Sequence, residues 1–496
     1  MMEQRVIDSY DNVKIVEVRG DPLPMYLIEE PEFSEYEKGV MQQPQKMIEN
    51  YDAINKKLND LKTPNEKIVF LTEYLTSQFQ KNGIKSKDIG VFVSALIDHV
   101  FLRYGRLGPL IRDDRLEEIM FDSLDTPVFV VHRKHGMCIT SVEYKDESEF
   151  EPFIRMVSEH AGRKINAENP LLDAHMPDGS RINITVPPAS PEGASITIRK
   201  FKKTPYNIIE LIKIRTVSMD LAAFLWVCVE GLGICPANIL IAGGAGSGKT
   251  TFLNAICMFI PNNERVVSVE DTLEINLEFV ENWVPLEAAP LALEGGEKLS
   301  MHRLLQNSLR MRPDRVIVGE VRGKEAETFL VAMDIGLKGS MCTLHANNAR
   351  EATIRLTSEP MAVPIRMLPL IDLVIVLNRH YDRVRGMSRR VTQVAELSGI
   401  EKETIQMGDI YLWNVKTDDI RQTEYPIMFK EEIAKKCGLT KKELDIELLL
   451  RKKVLEYMIK NNITQNEDVI RMFQRYHSDK AGTLSQVGIQ KRTPVS

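Results

Sequence analysis

Gly243-Gly244-Ala245-Gly246-Ser247-Gly248-Lys249-Thr250 is the stretch from which the rest of the chain can be read. It fits G-x-x-x-x-G-K-[ST]. A phosphate cradle needs backbone N–H groups that converge on one point, and side chains would block that approach, hence the glycines. Lys249 supplies a cation for β- and γ-phosphates, Thr250 a hydroxyl for Mg2+, and Thr251 continues onto the first helical turn as a further contact. An apolar strand, Asn238–Ala242, precedes the loop and an apolar helical run, Phe252–Phe259, follows it. That strand–loop–helix context separates a phosphate loop from a chance glycine-rich turn.

Short apolar runs recur downstream between helical patterns: Arg265–Val269, Arg315–Val318 and Leu370–Leu377. Such alternation implies a parallel sheet with helices on both faces, and ligands bind at the carboxyl ends of its strands. Three further boxes fall at those ends. Arg265–Val269 runs into Glu270-Asp271-Thr272-Leu273-Glu274, carboxylates that can order Mg2+ and water. Arg315–Val318 runs into Gly319-Glu320, where most phosphate-loop enzymes have an aspartate at the strand end. Gly339–Asn347 contains His345. Taken singly, an acid ending a strand is usually a solvated turn and a lone histidine a satisfied core residue. Their weight comes from their order along the chain.

Upstream, Val13–Val18 and Met25–Glu30 read as strands. Thr63, Pro64 and Glu66 form a capping-box start, and Ile68, Leu71, Leu75 and Phe79 follow at helical spacing. A second helical face runs from Ile89 to Val100, so residues 1–114 are expected to be mostly helical. Residues 115–201 read as a small α/β domain, with a turn at Pro177-Asp178-Gly179. Lys200–Tyr206 is basic with a proline, and 202–215 is expected to be a hinge. Residues 216–430 form the phosphate-loop core and 431–496 a helical extension. Capping boxes are expected at Thr440/Glu443 and Thr464/Glu467, with a frayed tail from Ser478.

With 496 residues the chain is about three typical domains long. Its 43% hydrophobic and 27% charged content is that of a globular protein, which excludes a wholly disordered or collagen-like chain. Lys plus Arg number 64 against 70 Asp plus Glu, a formal charge of -6, so there is no basic surplus of the kind that marks nucleic-acid binders. The six cysteines, Cys138, Cys228, Cys235, Cys257, Cys342 and Cys437, have no zinc-like spacing and read as scattered reduced thiols. Met1–Tyr10 is polar and charged, unlike a signal peptide. Leu221–Gly243 is broken by Glu230, Pro236 and Asn238, so no spanning helix is expected and any membrane role is peripheral.

In this order the boxes GGAGSGKT, VEDTLE, LRMRPDRVIVGEVRGKEA and GSMCTLHANN resemble the secretion-ATPase superfamily of type II secretion, type IV pili and type IV secretion. LRMRPDRVIVGEVRG, LLDAHMPDGSRI and SITIRKF are similar to tight-adherence pilus ATPases, and RKKVLEYMIKNNIT to archaeal pilus and archaellum motors. The resemblance covers about residues 100–475. It implies an α/β fold: a RecA-like core, a PAS-like N-terminal domain and helical extensions at both ends. It further implies a cytoplasmic homohexamer at the inner face of the membrane that hydrolyses ATP with Mg2+. An integral membrane platform protein and an acidic lipid surface would be its partners, and no nucleic acid is expected.

Roles then carry over residue by residue. Gly243, Gly244, Ala245, Gly246, Ser247, Gly248, Lys249, Thr250 and Thr251 would hold the nucleotide, with Thr250 on Mg2+. Glu320 matches the glutamate that positions the attacking water. Glu270 and Glu274 match the acidic box, with the identity of the base left open. His345 matches a γ-phosphate sensor, and Arg181 and Arg199 match arginines that neutralise phosphate charge. Arg310, Arg312 and Arg322 are further candidates. The chain departs from the family where Leu337 replaces a first histidine. It also lacks the four-cysteine zinc module and the Ala-Ile-Arg-Asn-Leu-Ile-Arg-Glu segment of retraction motors. Two other readings are a RecA-like hexameric nucleic-acid translocase and a scaffold that binds ATP without turnover. The first is disfavoured by the acidic balance, the second by the intact Lys249, Thr250, Glu270 and Glu320.

Overall fold

The computed structural model describes residues 4–29, 31–61, 63–82, 86–200, 205–292, 298–382, 386–402 and 404–489. The chain divides into two compact units, Met1–Lys203 and Thr204–Ser496.

The first unit is built on nine strands: β1 Gln4–Tyr10, β2 Val13–Val18, β3 Met25–Ile28, β4 Leu116–Phe121, β5 Pro127–His132, β6 Gly136–Glu143, β7 Leu171–His175, β8 Arg181–Thr185 and β9 Ser195–Arg199. They form one sheet in the order β1-β2-β3-β6-β5-β4-β9-β8-β7. Every neighbouring pair is antiparallel except β3 and β6. The β3–β6 pairing crosses the expected division at residue 114. Tyr26 and Ile28 are buried, and one core runs from Val13 to Ile198 across that position. The helix Pro64–Lys81 does start on the Thr63/Glu66 capping box, and its buried residues include Leu71, Leu75 and Phe79.

The second unit holds β10 Ile239–Gly243, β11 Arg265–Glu270, β12 Asn282–Glu287, the small pair β13 Ala289–Ala292 and β14 Lys298–Leu299, then β15 Arg315–Val321, β16 Met341–Leu344, β17 Leu373–Asp382, β18 Gly386–Glu401, β19 Thr404–Asn414 and β20 Asp419–Gln422. The main sheet runs β12-β11-β15-β16-β10-β17-β18-β19-β20. It is parallel from β12 to β17, as expected, and antiparallel from β17 to β20. All five residues of β10 are buried. Ile239 and Ile241 enter one hydrophobic core and Leu240 and Ala242 another, as a strand covered by helices on both faces requires. The α/β fold with a RecA-like phosphate-loop core is thus present, enlarged by an antiparallel wing.

Three expectations change here. Residues 201–204 of the hinge lie outside the described residues. The remainder of 202–215 holds a helix, Ile208–Lys213, whose Asn207/Glu210 capping box is complete and whose Ile208 and Ile209 are fully buried. The Thr464/Glu467 box is not formed. The helix Asn466–Ser478 has Gln465 as its cap residue, without a side-chain bond. Asn207 fixes that turn instead, donating to the Thr464 carbonyl and to Asn466 Oδ1 at 2.8 Å each. Part of the expected frayed tail is a helix, Lys480–Gln486, while residues 490–496 lie outside the described set. The C-terminal helices also share the core of the second unit, through Leu444, Val454, Leu455, Met458, Phe473 and Tyr476. All six cysteines are unpaired. Among the described residues no helix is long and apolar enough to cross a membrane.

Candidate functional site

Sheet order gathers the boxes. β16 lies between β10, which enters the phosphate loop, and β15, which carries Glu320, and β16 itself leads into His345. Three adjacent parallel strands therefore deliver Lys249, His345 and Glu320 to one edge. The Lys249 ammonium donates to the carbonyls of Gly243 (3.1 Å) and Gly244 (3.3 Å). It stands 3.4 Å from His345 Nε2 and 3.7 Å from Glu320 Oε1. His345 Nε2 lies 3.2 Å from the same oxygen of Glu320.

The loop itself fits a phosphate group. A Cβ on Gly243 would fall 2.3 Å from Ser247 Oγ and 2.6 Å from the Leu377 carbonyl oxygen, so only glycine allows the loop to close there. Gly246 and Gly248 have φ of +66° and +90°, the region glycine enters without steric cost. The helix Lys249–Cys257 starts at Gly248, which has no side chain to cap its first turn. Lys249 and Ser247 are buried; Thr250 and Thr251 are half-buried at the start of that helix. A nucleotide phosphate would fit this loop, and Thr250 is the hydroxyl that could reach a Mg2+ ion beside it.

Glu320 owes its direction to a bulge. Ile317 and Val318 pair with Met341 and Cys342, but Val321 pairs with Leu344, so β15 gains one residue over β16 at Gly319-Glu320. Such bulges re-aim a side chain next to functional sites. The Glu320 carboxylate is held by Arg322, which bonds Oε2 through Nε at 3.0 Å and also through Nη2. Arg322 reaches on to Asp271 at 3.4 Å. Thr343 Oγ1 donates to the Gly319 carbonyl at 2.6 Å and so locks the bulge to β16.

Glu270 has a different character. It is 1% exposed, and its Oε2 accepts the backbone N–H groups of Glu274 (2.8 Å) and Ile275 (3.0 Å). Burial pushes its carboxyl up to about 8 despite those two bonds, so at pH 7 it is mostly protonated. It shapes the turn that carries Asp271 and Glu274, the latter half-buried. Burial and the Lys249 charge hold the His345 imidazole below its usual range, which favours its neutral form.

Arg181 and Arg199 belong to the other unit. They sit opposite each other on β8 and β9, and Arg181 pairs with Asp173 at 2.9 Å. Arg310 and Arg312 are exposed. Of the secondary arginine candidates, Arg322 is the one that joins Glu320. Sequence reading missed Thr343, Arg379 and Arg389. The last two come from the antiparallel wing, whose pairing with the loop leaves no local motif.

A model of the type II/IV secretion system protein family matches residues 106–476. The uncharacterised protein MJ0781 of Methanocaldococcus jannaschii is 30% identical over an alignment covering 84% of this chain and 81% of that protein. The type IV secretion system protein PtlH of Bordetella pertussis is 34% identical, covering 48% of this chain and 78% of PtlH. Among solved structures, the VirB11 ATPase of the Brucella suis type IV secretion system is 25% identical with a TM-score of 0.30, covering 58% of this chain and 91% of that one. With a site of this composition and a family match over most of its length, the chain belongs to the type II/IV secretion system protein family.

Proposed function

We propose that this chain is an ATP hydrolase working as a homohexamer at the inner face of the cell membrane. There it drives assembly of a type IV pilus-like filament, or type II/IV secretion, through an integral membrane platform protein. The observation that carries the hydrolase reading is the meeting of Lys249, His345 and Glu320 within 3.7 Å at the end of three adjacent strands. Lys249 would neutralise the phosphates, and Glu320 would orient the attacking water. His345, beside both, would sense the γ-phosphate. Bound Mg2+, held by Thr250, would supply further charge neutralisation. Arg181 and Arg199 are proposed to neutralise phosphate charge, and Glu274 to assist with its carboxylate.

Family membership supports the secretion or pilus role, and the lack of a basic surplus argues against a translocase. The test is steady-state ATPase activity against protein concentration, with acidic liposomes and with single-stranded DNA. A rate per subunit that rises with concentration and lipid supports a ring motor at a membrane. Stimulation by DNA alone would replace it with the translocase, and absence of turnover in every condition with a scaffold.

A further inference from the structure

We infer that Arg379 binds the α-phosphate of the nucleotide from the outer wall of the phosphate loop, and that Arg389 holds the loop in the shape this contact needs. The inference rests on the reading that this loop binds ATP.

β17 is the partner of β10 on the side away from β16, in register from Ile239 with Leu373 to Gly243 with Leu377. Two residues further on, Arg379 stands directly opposite Arg389 in the β17–β18 ladder. Both side chains reach the loop. Arg389 Nε donates to the Gly246 carbonyl at 2.9 Å. A Cβ on Gly248 would fall 3.2 Å from Arg389 Cδ, and one on Gly246 would fall 3.2 Å from Arg379 Nη1. The two positive-φ glycines of the loop are thus the two against which the arginines lie, which gives those positions a second reason to lack a side chain.

Like charges directly opposite in a ladder repel. Lys249 adds a third cation to the same loop, and residues 243–251 contain no acid. Three cations around a turn of backbone N–H groups fit a polyphosphate. Guanidinium groups suit its oxygens because they bond in pairs. Lys249 lies at the strand-edge side with Glu320 and His345, where the γ-phosphate must react. The arginines lie on the other flank of the loop, so they meet the opposite end of the phosphate chain. Arg389 is a positioning residue: by taking the Gly246 carbonyl it fixes that peptide. Arg379, exposed, is the one able to contact nucleotide.

The experiment is ADP titration of the full chain by calorimetry at two salt concentrations, with ATPase KM and kcat in parallel. Arg379→Ala should raise Kd for ADP about tenfold, the worth of one charge-assisted bond. It should flatten the salt dependence of Kd, and raise KM by more than it lowers kcat. Arg379→Lys should recover part of the affinity. An Arg379→Ala protein with wild-type Kd and salt slope would overturn the inference. Lys249→Ala separates the two claims. If it loses ADP binding while Arg379→Ala keeps it, the arginine claim alone fails. If Lys249→Ala binds ADP like wild type, the phosphate-loop reading fails and takes the arginine claim with it.

Discussion

A Cβ on Gly319 would lie 3.0 Å from Cγ of Glu270, so the bare strand end of β15 is the space through which the Glu270 side chain passes. Where other phosphate-loop enzymes place an aspartate, this protein places the side chain of a neighbouring strand. Gly319→Ala should therefore destabilise the second unit by about 1–3 kcal/mol through overpacking. In a Glu270→Ala background the same change should cost less, with a coupling of about 0.5–3 kcal/mol. Denaturant unfolding of the four proteins in the cycle measures it. Strict additivity would mean that the two residues do not share the space.

Glu270 and Glu320 should separate in function. Glu320→Gln keeps the shape of the side chain and removes the charge facing Lys249, so ATP binding should persist while turnover falls about 100- to 10,000-fold. Glu270 is already mostly neutral at pH 7 and bonds two backbone N–H groups. Glu270→Gln should accordingly cost much less activity than Glu320→Gln. Single-turnover rates with saturating ATP decide between them, and equal losses would put Glu270 in the chemistry.

The loop Gly243–Thr250 and the strands β10, β11 and β15 were legible because each is a local run whose ends carry the punctuation. Glu320 was legible as a strand-end acid, but its direction was not, since that depends on a bulge set by pairing with Met341–Leu344. The continuity of residues 1–114 with the following α/β region was hidden for the same reason. It rests on Met25 and Tyr26 pairing with Ile139 and Thr140, more than a hundred residues away. The Arg379–Arg389 pair is likewise a product of the ladder. The Thr464 box had the right spacing and lost to a contact with Asn207, which no local pattern encodes.

Arg451 is a further buried cation of the second unit. It is 1% exposed, bonds Glu230, lies 3.2 Å from Glu447, and has the rings of Trp226 and Tyr476 at 4.9 and 5.0 Å. It ties the helix Lys441–Lys460 to the helix Met219–Glu230, which packs beneath the sheet. Arg451→Met should destabilise by about 3–5 kcal/mol, because Glu230 and Glu447 lose the buried cation they share and keep only the more exposed His477 and Lys480. Replacing Glu230 and Glu447 by glutamine in the same protein should recover much of the loss. Thermal unfolding of the single and triple variants tests this; no recovery would mean that packing on Trp226 outweighs charge.

The same cluster sets a pH window. His477 Nδ1 lies 3.2 Å from Glu230 Oε1, and this bond raises the imidazole above its ordinary value of 6.5 against the opposing effects of burial and Arg451. Its contribution to stability is complete below about 6.5 and is lost as pH rises through the raised value. Glu230 moves the other way: burial opposes its ionisation, but His477 and Arg451 prevail and hold it at about 2. Its contribution is complete above about 4.5 and is lost as pH falls toward 2, a span worth on the order of 3 kcal/mol. The cluster therefore stabilises most between roughly pH 4.5 and 6.5. His477→Gln should lower the urea midpoint most below about pH 6.5, and the gap from wild type should close as pH rises through the imidazole's raised value. A gap independent of pH would show that His477 acts through packing and not through its charge.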